Sequence, residues 1–303
     1  MPTVQLNNIR KAYDTKVAVE GLSLTIEPGT MFGLLGPNGS GKTSSIRMMV
    51  GITVPDSGTV QLFDKPFERK ALERVGYLPE ERGLYKKMNV LEQIIFMGKL
   101  RGLSAAVAEQ RAKQWADRLQ ITDALPKKTE ELSKGMQQKI QFITTLIHEP
   151  DLVIMDEPFS GLDPVNGALL QDTLLELRAA GKSILFSTHR MDQVEKMCDA
   201  IAIIYQGKLI LEGTMRDIKR EYPRNRVEVI YEGDNGFLNH AVVDEVKHFG
   251  TGSASLKLRG DTPDAQPLLA EAVARGTRIT RFEVKEPTLE EIFIERVGGR
   301  VDA

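Results

Sequence analysis

An α/β fold with a parallel core sheet and a small C-terminal α+β domain is what this sequence predicts, on three observations. The run Gly36-Pro37-Asn38-Gly39-Ser40-Gly41-Lys42-Thr43 matches the phosphate-loop pattern G-x-x-x-x-G-K-[ST] without a mismatch. An apolar run of strand type, Met31-Phe32-Gly33-Leu34-Leu35, stands before it, and Ser44 to Val50 can continue it as a helix. Two further continuous apolar runs, Leu152 to Met155 and Ser183 to Phe186, read as strands buried on both faces, with helix-type sequence between them.

The phosphate loop carries its own chemistry. Glycines let the backbone wrap a phosphate, and the free N–H groups of the turn and helix start point inward at it. Gly36, Pro37, Asn38, Gly39, Ser40 and Gly41 form that cradle. Lys42 would reach the β- and γ-phosphates, and the Thr43 hydroxyl would bind Mg²⁺. The chain is therefore expected to bind a nucleoside triphosphate together with Mg²⁺.

The remaining elements follow in chain order. Val4 to Ile9 and Leu22 to Ile26 alternate apolar with polar, as half-buried strands do. Turns are marked by Glu27-Pro28-Gly29 and by Pro55-Asp56-Ser57-Gly58, the second before a short strand at Thr59 to Phe63. The pattern turns helical from Val90 to about Gln120, and again from Gly167 to Ala179. Ala200 to Tyr205 and Lys208 to Leu211 predict a hairpin around Gln206-Gly207. Composition shifts near Glu221-Tyr222-Pro223-Arg224-Asn225. Beyond it come strands at Arg226 to Tyr231 and Ser255 to Leu258, a helix at about Asp264 to Arg275 and a strand at Arg278 to Val284. The last helix opens at Thr288, which forms a capping box with Glu291.

Composition narrows the class. With 303 residues, 41% hydrophobic and 27% charged, the chain suits one large and one small globular domain. A net charge of −2 gives no reason to expect non-specific nucleic-acid or acidic-membrane binding, although it leaves room for a local basic patch. Cys198 is the single cysteine, expected as a small buried side chain in a reducing compartment. The start, Met1 to Leu6, lacks the layout of a signal peptide. No uninterrupted apolar run reaches the roughly 18 residues that cross a bilayer, so work at a membrane would need a partner that supplies the span.

Two more segments point to chemistry. Asp156-Glu157 follows the run Leu152 to Met155, at the carboxyl end of a buried strand, where ligands bind in open α/β sheets. Asp156 would hold Mg²⁺, directly or through water, and Glu157 would orient and polarise the attacking water. An acidic pair capping a helix is the plainer alternative. In Leu132-Ser133-Lys134-Gly135-Met136-Gln137-Gln138, Ser133 is a natural N-cap and Gly135 lets a phosphate come close. On physics alone, a plain capped helix is the better account of this segment.

Leu132 to Gln138 resembles the L-S-G-G-Q signature of ABC (ATP-binding cassette) ATPases; Ser133 and Gly135 keep that pattern, while Lys134 and Met136 depart from it. Tyr13 stands where that family stacks an aromatic ring on adenine. Glu157-Pro158 is followed by Ser160-Gly161-Leu162-Asp163, similar to the family's D-loop, and Ser187-Thr188-His189 resembles its switch histidine. The likeness runs from about Val4 to Gly213. It implies a P-loop NTPase cassette over residues 1–222, with a parallel core sheet, an antiparallel β subdomain and a helical subdomain at about 84–150. Residues 225–303 are then an accessory domain.

The resemblance also implies partners and roles. Two cassettes, copies or relatives, pair head to tail, each ATP held between one phosphate loop and the other subunit's Ser133, Gly135, Gln137 and Asp163. His189, with Thr188 beside it, would contact the γ-phosphate and help place the water. The family's metal-sensing glutamine is replaced by Glu80, after Gly76-Tyr77-Leu78-Pro79, with Glu81 a rival one residue out of register. Such a chain would be the ATPase subunit of a transporter, peripheral on the cytoplasmic face of the membrane, driving a separate integral permease. Leu84 to Arg118 would be its docking region, with Tyr85, Met88 and Val90 as groove or core residues. Glu286 to Phe293 looks like the C-terminal extension of bacterial sodium-extrusion and drug-export cassettes, which suggests an exporter. The competing class is a soluble cassette ATPase serving translation, DNA or cofactor assembly. The interval Ser44 to Glu131 holds no long coiled coil and the chain has one cassette, so no nucleic acid is expected.

Overall fold

Buried apolar strands set the centre of the first of two units, Met1–Thr214 and Met215–Ala303, in a computed structural model that describes residues 1–81, 83–260 and 263–298. Met31–Leu35 (β3), Val75–Leu78 (β6), Leu152–Asp156 (β7), Ser183–Thr188 (β8) and Ala200–Tyr205 (β9) run parallel in the order β9-β3-β8-β7-β6. Lys208–Thr214 (β10) adds antiparallel to β9, the hairpin expected around Gln206-Gly207. Every residue of β3, β7 and β8 is buried, which is why they read as unbroken apolar runs.

A second, antiparallel sheet has the order β2-β1-β4-β5, from Val4–Tyr13 (β1), Lys16–Ile26 (β2), Ser57–Leu62 (β4) and Lys65–Pro66 (β5). β1 and β2 are longer than the alternation predicts. Their pairing shifts register between Leu6 and Ile9, between Ile9 and Lys11, and between Lys11 and Ala12, and each shift interrupts the period of two. Helix Lys42–Met49 (α1) joins a core that draws on both sheets. Its Ile46 and Met49 pack with Leu6, Ile9 and Leu22 of one sheet and Phe32, Leu34, Ile154 and Leu185 of the other. Each such burial stabilises by about 1.5–3 kcal/mol, so the strand and helix flanking the phosphate loop sit on rigid supports.

Val90–Leu100 (α2), Ala105–Arg118 (α3) and Lys134–Leu146 (α4) supply the helical part. Pro164–Ala179 (α5) begins earlier than the expected Gly167, because Asp163 caps it and Pro164 fits its first turn. β6 and Met191–Met197 (α6) were not expected, being too short for periodicity to mark.

The second unit opens with Met215–Arg220 (α7), ahead of the expected change at 222 to 225; Lys219 of this helix pairs with Glu286 at 3.8 Å. Its sheet, β12-β13-β11-β14, comprises Arg226–Glu232 (β11), Val243–Gly250 (β12), Ser253–Leu258 (β13) and Arg278–Lys285 (β14). Gln266–Ala274 (α8) buries Leu268 and Ala272 against Val227, Val229 and Leu256. Leu289–Gly298 (α9) carries the predicted capping box: Thr288 N donates to Glu291 Oε2 at 3.0 Å, and Glu291 N to Thr288 Oγ1 at 3.3 Å. β12 escapes sequence reading because it is an edge strand, mostly solvent-exposed and lacking alternation. Among the described residues no helix is long and apolar enough to cross a membrane.

Candidate nucleotide site

β3 ends where the phosphate loop begins, at the carboxyl edge of the parallel sheet. Gly36 and Gly41 have φ of 150° and 114°, and a side chain there would strike backbone: a Cβ on Gly36 would lie 2.1 Å from Ile204 O, and one on Gly41 2.4 Å from Ala18 O. Gly39, at φ 78°, faces open space. The loop thus needs glycine twice for packing and conformation, and Gly39 keeps room for a ligand. α1 starts at Lys42 with no acidic residue in its first turn, so its N–H groups present an unopposed positive end.

Lys42 Nζ donates to Gly36 O at 2.7 Å and Pro37 O at 3.2 Å, folding back over the loop. Burial lowers its pKa, against the pull of Glu157, Asp156 and Glu80, which raise it. Those three carboxylates, with Lys42, Thr43, Tyr13, Asn38, Gly39 and Gly41, line one cavity of about 420 Å³. Ser40 is buried beside it rather than lining it, and its backbone accepts from Gly207 N at 2.9 Å.

The sheet's register builds the acidic end. Asp156 lies opposite Ser187 across β7 and β8, and Ser187 Oγ donates to Asp156 Oδ1. Asp156 lines the cavity, and its Oδ2 is buried with no protein hydrogen-bond partner. Glu157 takes a left-handed backbone, φ 49°, with its N–H bonded to Ser187 O at 3.0 Å. Its Oε2 accepts from Thr188 Oγ1 at 3.1 Å, and its Oε1 from His189 N at 3.1 Å and faces His189 Nδ1 at 2.9 Å. Thr188 and His189 therefore grip the carboxylate. Among the described residues no three His, Cys, Asp or Glu side chains gather closely enough to hold a metal ion alone. A cation between Thr43 and Asp156 would depend on phosphate oxygens for the rest of its shell, which the orphaned Asp156 Oδ2 fits.

Ser133, Gly135, Gln137 and Asp163 do not line this cavity. Ser133 caps α4, accepting from Met136 N at 3.2 Å, and Asp163 caps α5, accepting from Asn166 N at 2.9 Å. Gln137 Nε2 donates back to Thr129 O and Leu132 O, each at 3.1 Å. A Cβ on Gly135 would come within 3.7 Å of Gly161 O and Leu162. The segments flanking Ser133 and Asp163 thus meet, away from the chain's own phosphate loop. α4 also reaches the residues next to the cavity's carboxylates: Gln138 Nε2 donates to Pro158 O at 3.0 Å, beside Glu157, and Gln141 Nε2 to Pro79 O at 2.8 Å, beside Glu80.

Sequence reasoning missed Lys16, Ala18 and Ser44, which also line the cavity. Lys16 had a signal: it pairs with Tyr13 across a two-residue turn, so one hairpin tip presents both. Leu84 to Asn89 forms no helix. There Tyr85 is exposed and packs edge-on against Phe96, whereas Val90 is fully buried and belongs to the core rather than to a groove.

Residues 19–160 match the family described as ABC transporter, and residues 213–297 match the C-terminal domain described as ATP-binding protein DrrA1-3-like. The ABC transporter ATP-binding protein YhaQ of Bacillus subtilis (strain 168) is 41% identical over 296 residues, spanning 97% of this chain and 98% of its own. The chain belongs to the ABC transporter ATP-binding proteins. The linearmycin resistance ATP-binding protein LnrL of the same organism is 34% identical over 307 residues, covering 97% and 98% of the two chains. The Nod factor export ATP-binding protein I of Cupriavidus metallidurans is 34% identical over 305 residues, covering 97% of each. A solved ATP-binding subunit of an ABC transporter superposes with a TM-score of 0.67 at 29% identity, over 72% of this chain and 92% of that one. The chain is thus an ABC cassette, a P-loop ATPase that hydrolyses ATP to power transport. The non-transport alternative is not favoured by these relatives.

Proposed function

We propose that this cassette drives an exporter: two copies close head to tail over ATP on the cytoplasmic face of a membrane, and the closure moves a separate integral permease. The observation that carries the reading is the division of the site. Lys42, Thr43, Asp156 and Glu157 share one cavity, while the caps Ser133 and Asp163 stand elsewhere on the same chain, available to a partner's nucleotide. In this reading Tyr13 stacks on adenine, the loop Gly36 to Gly41 wraps the phosphates, and Lys42 compensates their charge. Thr43 and Asp156 hold Mg²⁺, which when bound neutralises the phosphate oxygens. Glu157 polarises the attacking water once Thr188 and His189 release it to the γ-phosphate. The partner's N–H groups at Ser133 and Gly135, with Gln137 and Asp163, complete the enclosure.

Export is supported by the relatives named for Nod factor export and linearmycin resistance. Tyr85, Phe96 and Leu100, exposed on the helical part, suit contact with a permease. The intact chain is expected to co-purify from membranes with an integral partner; recovery with ribosomes or DNA instead would overturn the transport reading. Glu80 is assigned to the metal end, where its carboxylate adds charge that glutamine would not. Glu80→Ala is expected to shift the Mg²⁺ dependence of turnover about tenfold, and an unchanged Mg²⁺ titration would remove Glu80 from the site.

A further inference from the structure

The segment Met215 to Arg226 carries five cations, Arg216, Lys219, Arg220, Arg224 and Arg226, against Asp217 and Glu221, in a chain of net charge −2. The nucleotide site makes no use of them. Arg216, Lys219, Arg220 and Arg224 converge on one cavity of about 570 Å³, whose other walls are Met215 and Glu286. Lys219 and Arg224 reach Glu286 at 3.8 and 2.6 Å, so a single lining carboxylate faces four cations.

A merely solvated helix face accounts poorly for this. Arg216, Lys219 and Arg220 stand at i, i+3 and i+4 on α7, neighbouring positions at which like charges repel. The helix dipole favours Lys219 and Arg220 in the last turn but opposes Arg216 in the first, and it has no bearing on Arg224 beyond the helix end. An anion with two or more charges would relieve the repulsion. Guanidinium groups bind phosphate oxygens in a fork, and the volume lies in the range of small-molecule sites.

We propose that this cavity of the second unit binds an oligophosphate group, at a site separate from the ATP site. No residue lining it lines the nucleotide cavity. Two sources share the chemistry, a nucleotide and an inorganic oligophosphate.

The test uses the intact chain carrying Lys42→Ala, which weakens the phosphate loop, titrated calorimetrically with tripolyphosphate and separately with ADP. Tripolyphosphate is expected to bind, more weakly as salt rises, with affinity falling roughly thirtyfold when Arg216→Gln, Arg220→Gln and Arg224→Gln are added. ADP binding that weakens with the same three substitutions supports a nucleotide; ADP binding unchanged by them, alongside tripolyphosphate binding that falls, supports the inorganic source. Absence of tripolyphosphate binding at low ionic strength, or equal affinity in the triple variant, overturns the proposal. The three substitutions alone should leave basal ATP turnover intact, which confirms folding. Should they not, Arg220→Gln by itself is expected to weaken tripolyphosphate about threefold, and an unchanged affinity there is equally decisive.

Discussion

Replacing Glu157 with glutamine is expected to slow ATP hydrolysis about 10²–10⁴-fold while ATP still binds. The backbone at this position is fixed by the bond to Ser187 O and by a left-handed φ of 49°, so the side chain leaves the strand in one direction. Glutamine is nearly isosteric and keeps one acceptor for Thr188 or His189. It cannot polarise a water as a carboxylate does. The phosphate loop and Lys42 stay untouched, so the nucleotide keeps its main contacts. Single-turnover hydrolysis and an ATP binding isotherm separate the two effects; weakened binding with a proportionate loss of rate would contradict the role given to Glu157.

Lys42→Ala should fail in the opposite sense. It removes a buried cation aimed along the loop together with its bonds to Gly36 O at 2.7 Å and Pro37 O at 3.2 Å. Asp156, Glu157 and Glu80 are left facing the triphosphate without the buried ammonium of Lys42. A charge-assisted hydrogen bond contributes about 1.5–3 kcal/mol, which corresponds to roughly 10–100-fold in Kd. The loss should be larger for ATP than for ADP, because Lys42 is placed to meet the terminal phosphates. Equal losses for both would place its contact nearer the α-phosphate.

The parallel sheet was legible because β3, β7 and β8 are buried throughout, and burial on both faces leaves an unbroken apolar run. The phosphate loop and Asp156-Glu157 were legible because their chemistry is local. By contrast, the N-terminal hairpin was read too short where bulges break its alternation, and the exposed edge strand Val243–Gly250 was missed. The grip of Thr188 and His189 on Glu157, and the bond from Ser187 to Asp156, depend on the register between two strands far apart in sequence. Spacing within one segment carries no such information. Ser133 is the sharpest case. Its local physics is that of a helix cap, which the structure bears out, and the further role proposed for it would need a second molecule.

The measurement that bears most directly on the shared nucleotide is the mass in solution of Glu157→Gln with Mg·ATP, by light scattering. A dimer is predicted with ATP and a monomer without it, and adding Ser133→Arg should return the monomer even though each chain still binds ATP. A monomer at saturating ATP, or a dimer indifferent to Ser133→Arg, would contradict an ATP site completed by two copies.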